Sequence, residues 1–290
     1  MKIITTIEQM REHSDRLRDE GNRIGFVPTM GFLHEGHLSL MRKAREENHT
    51  LVTSIFVNPT QFGPNEDFKS YPRDPENDSV LCRKVGTDVL FAPSAEEMYP
   101  EGSKTIVHVS GLTGVLCGAS RPGHFDGVTT VVAKLFSIVQ PHNAYFGLKD
   151  YQQYRVIATM VRDLNMGVNV VGLPTVREDD GLAMSSRNSY LSEEERRSAL
   201  SLNRALRLAE DMFEDGVLDS AAIRDRVRET VEEAPHARID YIEIVDAVEL
   251  TPVETISGPS LLAMAVYFGK ARLIDNTVLG KRRSRAGMNS

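Results

Sequence analysis

Two histidines with a glycine between them, His34-Glu35-Gly36-His37, follow the turn Pro28-Thr29-Met30-Gly31 and precede a helical pattern. A strand-to-helix junction of this kind suits phosphate, because free backbone N–H groups and the positive end of the helix dipole converge there. Each imidazole can donate a hydrogen bond to a phosphoryl oxygen, and glycine lets a ligand approach the backbone. Alone, either histidine reads equally well as a loop cap or a helix start; it is the pair that points to phosphate. Zinc fits poorly, since the helical metalloprotease pattern needs histidines four apart. A second group, Ala183-Met184-Ser185-Ser186-Arg187-Asn188, follows the acidic loop Glu178-Asp179-Asp180-Gly181 and offers two hydroxyls and a guanidinium to a polyphosphate. Neither G-x-G-x-x-G nor a P-loop occurs, so phosphate binding needs another device.

The elements that must position these groups alternate along residues 1–175 as short apolar runs and longer amphipathic stretches, the mark of βαβ units around a parallel sheet. Strands are expected at Ile24 to Pro28, Leu51 to Val57, Val89 to Ala92, Thr105 to Val109, Asn143 to Gly147 and Val168 to Gly172. Helices are expected at Ile7 to Glu20, His37 to Glu47, Pro75 to Val85, Val128 to Val139 and Tyr151 to Leu164, the last with Asp150 as N-cap. Ligands of open α/β sheets collect beyond the carboxyl ends of strands, which is where His34 to His37 fall. Residues 176–290 change character and read as a smaller α+β domain. Ser192 and Glu195 form a capping-box pattern for a helix to about Glu214, and Asp219 or Ser220 opens another to Val231. Strands follow at Ile239 to Val245 and Leu261 to Phe268, with a hairpin-like return at Leu273 to Asn276.

Composition sets the class. In 290 residues, 41% hydrophobic and 26% charged, ordinary globular usage leaves no need for disorder or fibrous repeats. A net charge of −7 argues against nucleic acid bound over a broad basic face. The basic run Lys281-Arg282-Arg283-Ser284-Arg285 reads as a solvated tail. Cys82 and Cys117 are too few for a disulfide framework, and no apolar run reaches about 18 residues, so a cytoplasmic location without membrane attachment is expected.

The paired motifs HEGH and MSSRN resemble the H-x-G-H and KMSKS-like pair of the nucleotidylyltransferase superfamily, whose members bind ATP for attack at its α-phosphate. Residues 27–37, Phe56 to Phe62, Tyr71-Pro72-Arg73, Arg121 to Val128, Phe146 to Gln153 and Gly181 to Asn188 narrow the resemblance to the pantothenate synthetase (pantoate–β-alanine ligase) family. It implies a Rossmann-like first domain of the HIGH-type nucleotidyltransferases, a smaller lid domain behind it, and a homodimer. The implied reaction is condensation of pantoate with β-alanine through a pantoyl adenylate, releasing AMP and pyrophosphate, with Mg²⁺. A nucleotidylyltransferase that leaves AMP on its product, or a nucleotide-sensing module without turnover, would share both phosphate motifs.

By motif position the resemblance assigns His34 and His37 to the ATP phosphates, with Met30 and Gly36 lining the nucleotide site. Gly147, Lys149, Asp150, Val176 and Met184 join the nucleotide contacts, Asp150 towards ribose or through its cap. Ser185, Ser186 and Arg187 would grip the triphosphate from the second domain, and the implied catalytic set is His34, His37, Lys149, Ser185 and Arg187. Gln61 and Gln153 would hydrogen-bond pantoate; without the resemblance a glutamine pair reads equally as surface solvation. Asp78 matches a metal-associated carboxylate, although Asp74, Glu76 and Asp78 read equally as the acidic first turn of a helix. Leu148 stands where many relatives carry glutamate, and Cys117 where some are acidic.

Overall fold

The computed structural model describes residues 1–64 and 66–280, so the basic run at 281–285 lies outside the described residues. The chain divides into two units, one of Met1–Glu178 with Ala183–Ser186, the other of Asp179–Leu182 with the chain from Arg187 onward.

The first unit is built on six parallel strands: β1 (Lys2–Ile4), β2 (Ile24–Thr29), β3 (Thr50–Ile55), β4 (Val89–Phe91), β5 (Asn143–Gly147) and β6 (Asn169–Leu173), in the order β1-β4-β3-β2-β5-β6. The inner strands β2, β3 and β5 are buried along nearly their whole length, as expected where helices cover both faces of a parallel sheet. Between them run α1 (Ile7–Asp19), α2 (Glu35–Glu47), α3 (Pro75–Lys84), the short α4 (Ala95–Met98) and α5 (Cys117–Ser120), α6 (His124–Val139) and α7 (Tyr151–Asp163). The strand order reverses between β2 and β5. Ligands of open α/β sheets bind at such a switch point, beyond the strand carboxyl ends. The segments leaving β2 and β5 there are Met30 to His37 and Leu148 to Asp150. The opposite end is closed by a chain of amides in which Asn169 donates to the buried Asn143 at 3.1 Å and Asn143 to the buried Asn48 at 2.8 Å.

Three local expectations need correction. Thr105 to Val109 joins no sheet: Val107 N donates to Thr130 Oγ1 at 2.9 Å, and Thr129 Oγ1 donates back to the Val107 carbonyl. Its β-branched pattern suits a strand, but threonines of α6 satisfy the Val107 N–H and carbonyl that a neighbouring strand would otherwise take. Helix α6 starts at His124, four residues before the expected Val128, after Gly123 in the left-handed region. Asp150 does precede α7 but makes no side-chain cap, because a 3-10 turn over Leu148–Asp150 carries the chain into the helix. Strand β1, only three residues long, is too short for any periodicity to reveal; it pairs with β4.

The second unit packs α8 (Glu193–Glu214) and α9 (Ser220–Glu232) with an antiparallel sheet of β7 (Ala237–Asp246), β8 (Ser260–Phe268) and β9 (Ala271–Leu279). Ser192 and Glu195 make the reciprocal capping box that starts α8. Leu202 and Leu206 of α8, and Ile223, Val227 and Val231 of α9, recur at helical spacing and meet Ile242, Leu262, Met264 and Phe268 in one core. No helix among the described residues is long and apolar enough to cross a membrane.

Candidate active site

The turn that delivers the histidines is held from below by a buried carboxylate. Gly31 and Phe32 are both left-handed, at φ +80° and +49°, and the second is a conformation that a bulky side chain rarely adopts. Asp78, 1% exposed, fixes it: Oδ2 accepts from Phe32 N at 2.9 Å and Oδ1 from Leu33 N at 2.7 Å. The resemblance makes Asp78 metal-associated, but both oxygens are turned to backbone donors, so its observed work is to shape the loop. Asp74 instead caps α3 through Asn77 N, and Glu76 lies in the first turn, as the helix reading of this acidic group expects.

His34 and His37 then cap α2 reciprocally. Nδ1 of His34 accepts from Gly36 N at 3.2 Å, and Nδ1 of His37 accepts from His34 N at 3.3 Å. Their rings lie 4.1 Å apart, centre to centre. Gly36 is needed here, because a Cβ would sit 2.9 Å from the His34 ring folded over it. A nitrogen that accepts from N–H carries no proton, so each neutral ring has its proton on Nε2. Burial, reinforced by the charge of Lys149, pushes His34 down to about 4. His37 is lowered well below 6.5, by burial first and then by His34 and Lys149. Two neutral imidazoles therefore stand ready as Nε2–H donors beside one ammonium, which lies 3.7 Å from the Asp150 carboxylate.

This assignment is open to direct measurement. Nitrogen NMR of the free protein at about pH 6 should find both rings uncharged and Nε2-protonated, and a charged ring in that spectrum would refute it. The same shift affects folding. Because His34 falls from 6.5 to about 4 on folding, the unfolded chain takes the proton first; this contribution to stability is complete above pH 6.5 and is lost as pH falls through about 4.

Of the remaining nucleotide-site residues, Gly147, Val176, Met184, Ser185 and Ser186 belong to the first unit. Gly147 ends β5, and nothing lies within 4 Å of the position a Cβ would take. The Val176 carbonyl accepts from Met184 N at 3.0 Å, Met184 Cβ lies 3.7 Å from the position a Cβ would take at Gly36, and Ser186 Oγ donates to the Phe32 carbonyl at 3.4 Å. Ser185 and Ser186 fall with the first unit and Arg187 with the second, where the sequence reading puts all three in the second domain.

Gln61, 8% exposed, closes a 3-10 turn over Pro59–Gln61. Its Nε2 donates to Met30 Sδ at 3.1 Å, and its Oε1 accepts from Asn58 Nδ2 at 3.1 Å. Asn58 has no role in the sequence reading, yet it is the hub of this corner: Nδ2 also donates to Gly127 O at 3.1 Å, and Oδ1 accepts from Tyr99 OH at 3.0 Å and Thr60 Oγ1 at 2.9 Å. Its signal was the asparagine-proline step, an N-cap before proline at the first helical position. Since Asn58 holds Oε1, Gln61 presents a donor. Of the two glutamines in α7, Gln153 is half-buried, whereas Gln152 is buried and pins residues 112–117 through Leu112 O, Val115 O and Cys117 N. Leu148 leans over Gly172, where its Cδ2 would lie 2.7 Å from an added Cβ.

A family model described as pantoate-beta-alanine ligase matches residues 2–278. Among curated proteins, the pantothenate synthetase of Moorella thermoacetica is 58% identical over 279 residues, 96% of this chain and 99% of that protein. That of Thermotoga petrophila is 56% identical over 280 residues, 97% of this chain and 100% of that protein. The crystal structure of pantothenate synthetase from Thermus thermophilus superposes with a TM-score of 0.92 at 49% identity, covering 97% of this chain and 100% of the other. The Francisella tularensis pantoate-beta-alanine ligase, complexed with beta-gamma ATP and beta-alanine, gives 0.80 at 36%, covering 97% and 98%.

Proposed function

The chain belongs to the pantoate–β-alanine ligase family, and from that premise we propose that its first unit holds ATP by the phosphates at His34, His37 and Lys149 and holds pantoate at Gln61 and Gln153. The enzyme is an ATP-dependent ligase of pantothenate biosynthesis. The observation that carries the residue assignment is the pair of neutral Nε2–H imidazoles beside Lys149 at the switch point of the sheet.

Chemistry follows from positioning. A pantoate carboxylate oxygen attacks the α-phosphorus of ATP; the bond to the β-phosphate oxygen breaks and pyrophosphate leaves. The β-alanine amine then attacks the acyl carbon, sheds a proton as the C–N bond forms, and AMP departs. Neither step asks the protein for a nucleophile. What the first step needs is donors and positive charge where negative charge builds up, and the two Nε2–H groups with the Lys149 ammonium supply them. Gln61, as a donor, suits a hydroxyl or carboxylate oxygen of pantoate. Met30, Gly36, Gly147, Asp150, Val176, Met184, Ser185 and Ser186 complete the nucleotide contacts in this reading, and Arg187 keeps the phosphate role its motif implies.

Mg²⁺ enters this reading as the escort of the ATP phosphates. Each Asp78 oxygen accepts from a backbone donor, and no group of three or more histidine, cysteine or acidic side chains able to hold a metal occurs among the described residues, so the reading gives the ion to the phosphates. Magnesium is commonly held by substrate phosphates and water with few protein ligands. The reading also includes a cytoplasmic location, supported by a cysteine count of two, too few for a disulfide framework, and the homodimer implied by the resemblance.

Turnover assays with pantoate, β-alanine, ATP and Mg²⁺, each omitted in turn, test the reaction. AMP and pyrophosphate should form in equal amounts only with pantoate present. Turnover unchanged without pantoate would overturn the assignment, and an adenylylated end product would mark a nucleotidylyltransferase.

A further inference from the structure

Behind Gln61 stands a cluster of charged side chains that the reaction as described does not use. The Gln61 carbonyl oxygen accepts from His124 Nδ1 at 2.8 Å and from Arg121 Nη2 at 3.3 Å. Arg121 Nη1 lies 3.1 Å from His124 Nε2. The guanidinium also makes a two-pronged bond to Glu66, Nε to Oε1 at 2.6 Å and Nη2 to Oε2 at 2.5 Å. Arg121 and Glu66 are only 15% and 26% exposed as side chains, and paired forks of this kind are the stronger ion pairs. Glu66 N in turn donates to Gly63 O at 3.1 Å. The segment that begins with Gln61 is thus tied back, through Arg121, onto the Gln61 carbonyl itself.

Geometry decides the protonation of this cluster. A carbonyl oxygen only accepts, so His124 Nδ1 carries the proton; a guanidinium only donates, so Nε2 is the acceptor. His124 is therefore neutral, in the tautomer opposite to that of His34 and His37. Burial and the adjacent Arg121 charge, which push it down to about 4, act in the same direction. On the other side of the turn, α6 packs backbone to backbone: a Cβ on Gly127 would lie 2.4 Å from Thr60 O. The main chain of Gln61 is fixed by His124 and Arg121, and its amide by Asn58.

We infer that His124 and Arg121, with Glu66 as counter-charge, are positioning residues that aim the Gln61 amide at pantoate. The inference rests on Gln61 being a pantoate ligand. Two side chains, His124 and Arg121, converge on the one carbonyl of the residue whose amide faces Met30, with Glu66 from a separate segment holding Arg121 there, and a loop staple alone would not require that convergence.

The test compares KM for pantoate and for ATP in Gln61→Ala, His124→Ala, His124→Asn and the double variant Gln61→Ala/His124→Ala, with melting temperature measured alongside. His124→Ala should raise pantoate KM about tenfold and ATP KM by less than about twofold. His124→Asn, whose amide N–H falls where Nδ1 stood, should restore most of the loss, a recovery that also shows the effect is not one of misfolding. In the double variant, His124→Ala should add nothing to Gln61→Ala, since there is no amide left to aim. Equal effects on both substrates, or full additivity, would overturn the inference alone. An unchanged pantoate KM in Gln61→Ala would instead refute the pantoate assignment and overturn the inference with it.

Discussion

Lys149→Ala lowers turnover by about 10²–10³, the loss expected when a preorganised charge or donor is removed from a developing anion. The reason lies in the histidines. Both have Nδ1 occupied by backbone N–H groups and both are held neutral, so in the first unit the motif supplies donors but no positive charge. In the proposed reading the Lys149 ammonium is then the charge that this part of the first unit brings to the phosphates, and hydrogen bonds from neutral rings cannot replace it. An independent readout accompanies the rate. Lys149 is among the causes that depress both His34 and His37, so its removal should move both pKa values up towards 6.5. Lys149→Arg keeps the charge and should keep those values low. Wild-type turnover in Lys149→Ala, or imidazole pKa values unmoved, would rule out this division of labour.

How far the sequence could go is clear from particular residues. The strand and helix that flank the histidines were legible because their patterns are local: a buried run at residues 24–29, then apolar positions at helical spacing from Leu38 to Ala44. That His34 and His37 cap each other was not legible. Reciprocal capping usually employs a hydroxyl and a carboxylate, and nothing in residue type says that an imidazole will take the same place. Thr105 to Val109 shows a different limit, since alternation suits a strand but does not say whether a neighbouring strand or a pair of threonines will satisfy its backbone. Gln61 and Gln153 were singled out through the motifs around them. The partners that orient Gln61 come from positions 63 and 60 residues further along, and only the packing of α6 against the 3-10 turn brings His124 and Arg121 to it.

Asp78→Ala separates the loop-shaping role from a metal role, and it should act on stability before chemistry. The substitution leaves Phe32 N and Leu33 N without the carboxylate that accepts from both, in a turn whose Phe32 is left-handed. Loss of an acceptor from two largely buried donors costs roughly 2–5 kcal/mol, offset where water can enter. Burial raises the Asp78 pKa by more than the two backbone bonds lower it, and asparagine is no neutral substitute: its Nδ2 would face one N–H donor head-on. Both Asp78→Ala and Asp78→Asn should therefore melt several degrees below the parent in the absence of ATP and with chelator present. Turnover should fall with them, because the turn delivers His34 to the helix start. A carboxylate acting as a metal ligand predicts the reverse pattern: melting unchanged without metal, with the defect confined to the Mg²⁺ dependence of turnover. Observing that pattern would return Asp78 to the metal and leave the Gly31–Phe32 turn to be held by Thr29, whose Oγ1 accepts from Gly31 N at 3.1 Å.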